Sequence, residues 1–492
     1  MSNSKSSYRQ IFTATTLFGS IQLMTMLISV IKTKIISFFL GPIGIGIIGL
    51  FTVSIEMIST ATNFGLQTSA TKVIAEIGIN EKQLSRTINV VQSLAWITGI
   101  LAVICVILFS NWLSVLTFGN DNYYLHFIWI SISLFFKQIT AGRLAILQGL
   151  RKLNSLAKAN LYGSLLGLVI TIPLYYYWRI DAIVPSIIAT SVIGYLIVFY
   201  HSKTVKTSLI QFSNQKNLSQ AKNILYLGVM LSLSGFITLL ASFIIQIFIN
   251  RTGSIMQVGF YNAGFTILNT YVGIVFTVMA TDYFPRLATV INDKTKISVL
   301  VVEQATFSIL VITPIIIIFQ LLVFVIVEIL YSKEFFVIIA MISWGILGML
   351  FKAVSWSMGL ILIAKGDSKL FIKTAILFNL ISVMLNVFGY YLLGLEGLGI
   401  SFLIYFFIHF YGIKIIVKKQ YGIYCDTTFY KLYLLCILMC ILTFTFRYID
   451  FYIVRVASMI FMSILSMFFS VYHLNQKIDL REIVMTKFNS KK

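Results

Sequence analysis

The sequence predicts an all-α polytopic membrane protein of about 14 transmembrane helices: two six-helix repeat lobes followed by two extra helices. Three observations carry this. Apolar stretches long enough to span a bilayer follow one another from Ile11 to Tyr472, the charged residues lie almost entirely between them, and features of one half recur about 215 residues later. A helix crosses the hydrocarbon core with about 20 predominantly apolar residues. Hydrophobic residues are 59% of the chain and charged ones 11%, so no soluble domain fits between the spans.

The polar start MSNSKSSYRQ passes straight into the first apolar run without a small-residue cleavage site, which reads as a start-transfer helix that is retained. In order, the spans are expected at 11–33, 44–66, 88–110, 124–147, 160–178, 182–201, 223–249, 257–282, 298–320, 336–363, 370–392, 397–416, 430–446 and 453–472. The first carries Thr25, Ser29 and Lys32 on one face. The second carries Thr52, Glu56, Thr60, Asn63 and Gln67 at i, i+4, i+8, i+11 and i+15, a polar stripe over its whole length. Span seven adds Gly235, Thr238, Ser242 and Gln246, and span eight Asn262, Thr266, Asn269, Gly273 and Thr277. Polar faces in lipid either bond between helices or line water. Stripes this long, recurring in both halves, predict a central hydrated cavity.

The repeat is visible residue by residue. Trp129 and Phe136-Lys137 in span four match Trp344 and Phe351-Lys352 in span ten, each offset by 215. Gly149-Leu-Arg-Lys152 matches Gly366-Asp-Ser-Lys369, the turn Ala182-Ile-Val-Pro185 matches Gly397-Leu-Gly-Ile400, Gly46 matches Gly259, and Asn269 lies 213 residues after Glu56. An even number of helices per unit makes the halves parallel repeats about an axis along the membrane normal, as in transporters with a site at the repeat interface. The expected division is residues 1–220 for the first lobe and 221–420 for the second. Residues 421–492 then form the two extra helices and a tail, and a basic stretch from Lys203 to Lys222 joins the lobes.

The net charge of +21 would suggest nucleic acid in a soluble protein. Here 28 of the 37 Lys and Arg fall in the N-tail, the even-numbered connections and the C-tail, 7 at the other helix ends, and Lys137 and Lys352 inside spans. That asymmetry is a topology signal placing both termini in the cytoplasm and removing nucleic acid as a partner. No G-x-x-x-x-G-K-[ST] occurs, so transport would draw on an ion gradient, the membrane potential or the substrate gradient. Gly44-Ile-Gly-Ile-Ile-Gly49 fits G-x-G-x-x-G without the strand and acidic residue the nucleotide motif needs, so it reads as close helix packing. The four Cys and four His are scattered, which predicts neither disulfides nor a metal site, and no cofactor.

An ionised side chain at the centre of a span costs about 2.5–3.5 kcal/mol, so Glu56, Lys137 and Lys352 are the strongest site candidates. Lys32 and Arg251 lie nearer the outer ends of spans one and seven. Lys32 and Lys34 are about 200° apart around a helix, so Lys32 continues the polar stripe and Lys34 snorkels to the interface. Asp282 and Arg286 flank Pro285 at the inner end of span eight as a gate or an ordinary ion pair. The outer connections are short, and none gathers a cluster of His, Asp, Glu or Arg as a glycan polymerase or ligase would need.

Leu40-Gly-Pro-Ile-Gly-Ile-Gly46, Leu147-Gln-Gly-Leu-Arg-Lys152 with Ala157-Lys-Ala-Asn160, Tyr283-Phe-Pro-Arg-Leu287 and Ile363-Ala-Lys-Gly366 follow one another along the spans. In their order and spacing the chain resembles the Wzx-type O-antigen and lipid-linked oligosaccharide flippases of the MOP (multidrug/oligosaccharidyl-lipid/polysaccharide) exporter superfamily. The resemblance implies two lobes forming a V around a central cavity, alternating access, an inner-membrane location and an undecaprenyl-diphosphate-linked oligosaccharide as substrate. It further implies that Lys32, Lys137, Arg251 and Lys352 meet the anionic headgroup and sugars; beside them the polar stripes offer Asn269 and Glu56, Glu56 as counter-charge or proton-coupled group, and polysaccharide polymerase machinery is expected as a partner. The alternative is a MATE-like small-molecule antiporter, which would favour paired carboxylates.

Overall fold

The computed structural model describes residues 2–77, 81–205 and 215–478, with side chains for 24–77, 81–205 and 216–476. Residues 206–214 of the basic connection and the C-terminal tail from 479 lie outside the described residues. The elements are α1 (Ser2–Asn63), α2 (Leu66–Ile77), α3 (Glu81–Phe118), α4 (Tyr124–Gly149), α5 (Leu153–Trp178), α6 (Ile183–Ser202), α7 (Gln215–Thr252) and α8 (Ile255–Thr266). They continue as α9 (Ile274–Thr289), α10 (Lys294–Leu330), α11 (Ile339–Ala364), α12 (Ser368–Tyr421), α13 (Thr427–Phe446) and α14 (Tyr452–Ile478).

Among the described residues, 11 helical segments are long and apolar enough to cross a membrane. Three of them, Met24–Asn63, Leu153–Ser202 and Ser368–Tyr421, are folded into two arms each, which makes fourteen crossings. In α1 the break is at Gly41 (φ 62°): Lys32 and Glu56 line one cavity, although a straight helix would hold them about 36 Å apart. The α5–α6 turn is closed by the Tyr175 hydroxyl on Ser186 Oγ at 2.5 Å. The arms of α12 are held by Ser401 Oγ donating to the Leu385 carbonyl at 2.6 Å. Large apolar side chains such as Phe38 and Leu108 remain more than 70% exposed, as a lipid-facing surface requires.

The backbone repeats where the sequence does. Arg179 (φ 48°, ψ −125°) ends α5, and Gly394 (φ 58°, ψ −135°), 215 residues later, breaks α12. Two equivalent turns therefore share one left-handed conformation, which Gly adopts freely and Arg adopts under strain.

By their contacts the residues form two compact units, 1–259 with 330–332, and 260–329 with 333–492. The packing division thus falls later than the 220/221 lobe boundary. The reason is that α7 packs on α1, α2 and α3, where Ala221 and Ile224 join a core of Leu66, Ile74, Val91, Leu94 and Ile146. α2 supplies one apolar face (Leu66, Ala70, Ile74) to this core. Elsewhere in the first unit, a β-carbon built on Gly46 would lie 2.0 Å from the Ile255 carbonyl oxygen, and one on Gly259 1.9 Å from that of Pro42. Residues 42 and 46 plus 213 are 255 and 259, so the contact is reciprocal, as between two-fold-related segments.

In the connection between α12 and α13, burial, reinforced by the Asp426 carboxylate, pushes the Cys425 thiol up to about 12. The thiolate is the reactive form. Maleimide at neutral pH should therefore leave Cys425 unmodified in the folded protein and modify it after denaturation, as read by peptide mass mapping; labelling of the folded form would contradict its burial.

Candidate functional site

A cavity of about 350 Å³ lies inside the first unit, lined by both arms of α1 and by α4, α5 and α6. Thr52 and Glu56 come from one face of the second arm of α1. Ser133, Lys137 and Thr140 share one face of α4 at i, i+4 and i+7. Lys137 Nζ donates to Glu56 Oε1 as an ion pair whose side chains stay 36% and 41% exposed. The pair offsets the cost of each charge within a span, and its exposure leaves both open to a third partner. Lys32 lines the same cavity and makes no ion pair among the described residues. With two cations against one anion, the cavity has a net positive charge.

Hydroxyls complete the wall. Ser133 Oγ and Ser191 Oγ are 2.7 Å apart, and Tyr175 and Ser186 bond across the α5–α6 turn. These were missed in the sequence, although the period of Ser133, Lys137 and Thr140 on α4 could have shown the first of them. The long stripe on the second arm of α1 divides in two. Thr52 and Glu56 meet the cavity, whereas Asn63 donates to Gln138 Oε1 at 2.5 Å, whose own amide reaches the Ser59 carbonyl at 2.9 Å and Thr62 Oγ1 at 3.0 Å. Asn63 of the stripe therefore joins helices.

The second unit carries the counterpart. Lys352 Nζ donates to Asn269 Oδ1 at 2.9 Å, and its ammonium stands 5.1 Å from the centre of the Phe406 ring, 5.8 Å from Phe276 and 6.0 Å from Phe402. Attraction to several ring faces stabilises a desolvated cation. Asn269 sits on a π-helical turn, Ile267–Val272, closed by the Gly273 amide on the Leu268 carbonyl at 3.1 Å. Such turns re-aim side chains and recur at functional sites. Lys137 with Glu56 and Lys352 with Asn269 thus occupy equivalent repeat positions, the acid of the first replaced by an amide in the second.

Other candidates stand apart. Arg251 does not line the cavity: its guanidinium donates to the Val115 carbonyl and, at 3.2 Å, to that of Leu116, while Asn250 reaches Thr117 O at 2.9 Å. It caps the C-terminal end of α3, where a cation complements the helix dipole. Lys34 donates to the Tyr331 carbonyl at 2.5 Å instead of snorkelling. Asp282 and Arg286 form an exposed i,i+4 pair at 3.1 Å in the second unit, the kind that contributes little.

The family profile described as "Polysaccharide biosynthesis protein" matches residues 35–340. Among solved structures, the lipid II flippase MurJ in an inward closed conformation superposes with a TM-score of 0.68 at 13% identity, covering 94% of this chain and 99% of that one. An inward-facing multidrug resistance MATE family transporter of the MOP superfamily gives 0.65 at 14% identity, over 83% and 98%. A MOP superfamily transporter from Pyrococcus furiosus with reversed binding-pocket polarity gives 0.60 at 16%, over 83% and 95%. No curated protein matches the sequence.

Proposed function

The chain belongs to the polysaccharide biosynthesis protein family and has the fold of MOP-superfamily transporters, and from that premise we propose that it is a flippase for a polyprenyl-diphosphate-linked oligosaccharide. The observation that carries this reading is the pair of cationic sites at matching repeat positions, Lys137 with Glu56 and Lys352 with Asn269. A diphosphate bearing sugars does not cross hydrocarbon unaided, because an unpaired charge in low dielectric costs tens of kcal/mol. Cations held within the spans by weak or exchangeable partners receive it; the polyprenyl tail stays in lipid. Lys32, at the same cavity, adds to the field. Glu56 releases Lys137 to the headgroup and takes it back afterwards. The chain performs no chemical step, and an ion gradient or the membrane potential sets the direction.

We assign the substrate to the O-antigen class of undecaprenyl-linked units, carried from the cytoplasmic to the periplasmic leaflet of the inner membrane and passed to polysaccharide polymerase machinery. Residues 1–220 and 221–420 act as the two lobes, alternately exposing their cations to either face. The antiporter reading is weaker because the first cavity holds a single carboxylate, already paired with a lysine, and carries net positive charge that repels organic cations.

Orientation has its own check. Reporters fused to either terminus should report a cytoplasmic location, as the distribution of Lys and Arg requires; periplasmic reporter activity at either end would contradict it. The functional test compares lipid-linked sugar intermediates on the two membrane faces in cells with and without the protein. Depletion should accumulate them on the cytoplasmic face, and an unchanged distribution would overturn the proposal.

A further inference from the structure

Connections one–two, three–four and five–six of a helical bundle emerge on one face, and there the first unit holds a second cavity, of about 280 Å³, apart from the cationic one. Its floor is backed by Phe51, 1% exposed, wedged against Phe118 and Phe127 at 4.9 and 5.3 Å between ring centres and covered by the stacked His126 ring at 6.3 Å. Its wall is Tyr123, which stacks on Phe118 at 3.9 Å and 20° and has the His126 ring 5.3 Å away at 51°. Its polar groups are Asn122 from the turn before α4, His126 from the first turn of α4, and Asp181 from the α5–α6 turn. Each connection alone looks unremarkable in sequence, and the fold brings the two together.

Asp181 is not spent on structure. Its neighbour Arg179 turns away, donating to the Phe39 carbonyl at 3.1 Å and lying 5.5 Å over the Phe39 ring. Among the described residues Asp181 makes no ion pair. The Asn122 backbone amide donates to Asn120 Oδ1 at 3.1 Å, which holds the turn without using the Asn122 side chain.

The rings of the half-buried Tyr123 and the exposed His126, over a packed aromatic base and beside a carboxylate and a carboxamide, match the surface of a pyranose: one face of C–H bonds for ring faces, and a rim of hydroxyls for bidentate acceptors and amide donors. We propose that this cavity binds one neutral sugar ring. A uronic or sialic acid is repelled by Asp181, and the volume of about 280 Å³, just below the ~300–1,000 Å³ range of small-ligand sites, suits one ring. Under the flippase reading, on which its biological role rests, the cavity lies on the periplasmic face and holds a sugar of the glycan as the headgroup leaves the cationic site.

The test is saturation-transfer NMR on the detergent-solubilised full-length protein with the methyl glycosides of glucose, galactose, mannose, rhamnose and N-acetylglucosamine. At least one should receive saturation. Asp181→Ala should weaken its binding about ten-fold or more, as loss of hydrogen bonds to a charged group does, and Tyr123→Ala should weaken it while Tyr123→Phe retains it. Gly163→Ala should leave it unchanged, because that residue lines neither cavity and its added methyl group meets nothing within 4 Å. The proposal is overturned if no glycoside binds, if Asp181→Ala binds as wild type does, or if tetraphenylphosphonium binds at this site in their place. Glycoside binding by a protein that fails to move lipid-linked oligosaccharide in vesicles would uphold the sugar site and overturn the flippase reading.

Discussion

A Lys137→Gln, Lys352→Gln double variant is expected to reach normal abundance in the membrane and to lose glycan export almost completely. Each lysine offers a charge-assisted hydrogen bond to an anionic headgroup, worth about 1.5–3 kcal/mol, so each single change should slow transport about ten- to a hundred-fold and the double change should cost more than either alone. Insertion should not suffer, since removing the cation at Lys352 is favourable and at position 137 the Gln amide keeps a hydrogen bond to Glu56 in a site that is more than a third exposed. Lys→Arg at either position should keep part of the activity because the charge is kept and, at Lys352, the guanidinium also stacks on ring faces, while its fixed fork changes the hydrogen-bond geometry. Rate of export per molecule, with abundance from quantitative immunoblotting, checks this. Full export by the double variant would make both lysines structural.

The second large effect is on stability. Gly259→Ala should destabilise the folded protein by at least about 2 kcal/mol, because its methyl group would sit 1.9 Å from the Pro42 carbonyl oxygen, where only backbone movement makes room. Gly163→Ala on α5 meets nothing within 4 Å and should be neutral or stabilising by up to about 1 kcal/mol, the ordinary gain of Ala over Gly in a helix. Thermal unfolding of the two purified variants in one detergent separates them. Equal midpoints would mean that the helices at Gly46 and Gly259 are not in close contact.

Much of this was legible in the sequence, for identifiable reasons. The crossings follow from apolar length, which the bilayer imposes on every helix. Lys137, Glu56, Lys352 and Asn269 were legible because charge within a span is costly and because the halves repeat at 213–215 residues; the structure then joins Lys137 to Glu56 and Lys352 to Asn269. Lys32 and Lys34 separated correctly by helical angle, but the partner of Lys34 is a carbonyl about 300 residues away in sequence, which periodicity does not predict. Arg251 shows the converse failure. A cation near an outer helix end reads as a field for substrate, yet the free carbonyls ending α3 claim it, and that competition exists only once α7 lies beside α3. The same applies to Asn63, a member of a regular stripe that bonds Gln138, and to the joining of His126 on α4 with Asp181 in the α5–α6 turn. Period reports which side chains share a face and is silent on what that face meets.

The most direct measurement of the central claim uses purified protein in vesicles containing fluorescent polyprenyl-diphosphate-linked oligosaccharide, with a membrane-impermeant glycosidase added outside. If the chain moves this lipid across the bilayer through its paired cationic sites, the enzyme should consume nearly all of the lipid-linked glycan when wild-type protein is present. It should consume only the outer-leaflet half with the Lys137→Gln, Lys352→Gln variant. Consumption stopping at one half with correctly inserted wild-type protein, or reaching completion with the double variant, would contradict the account.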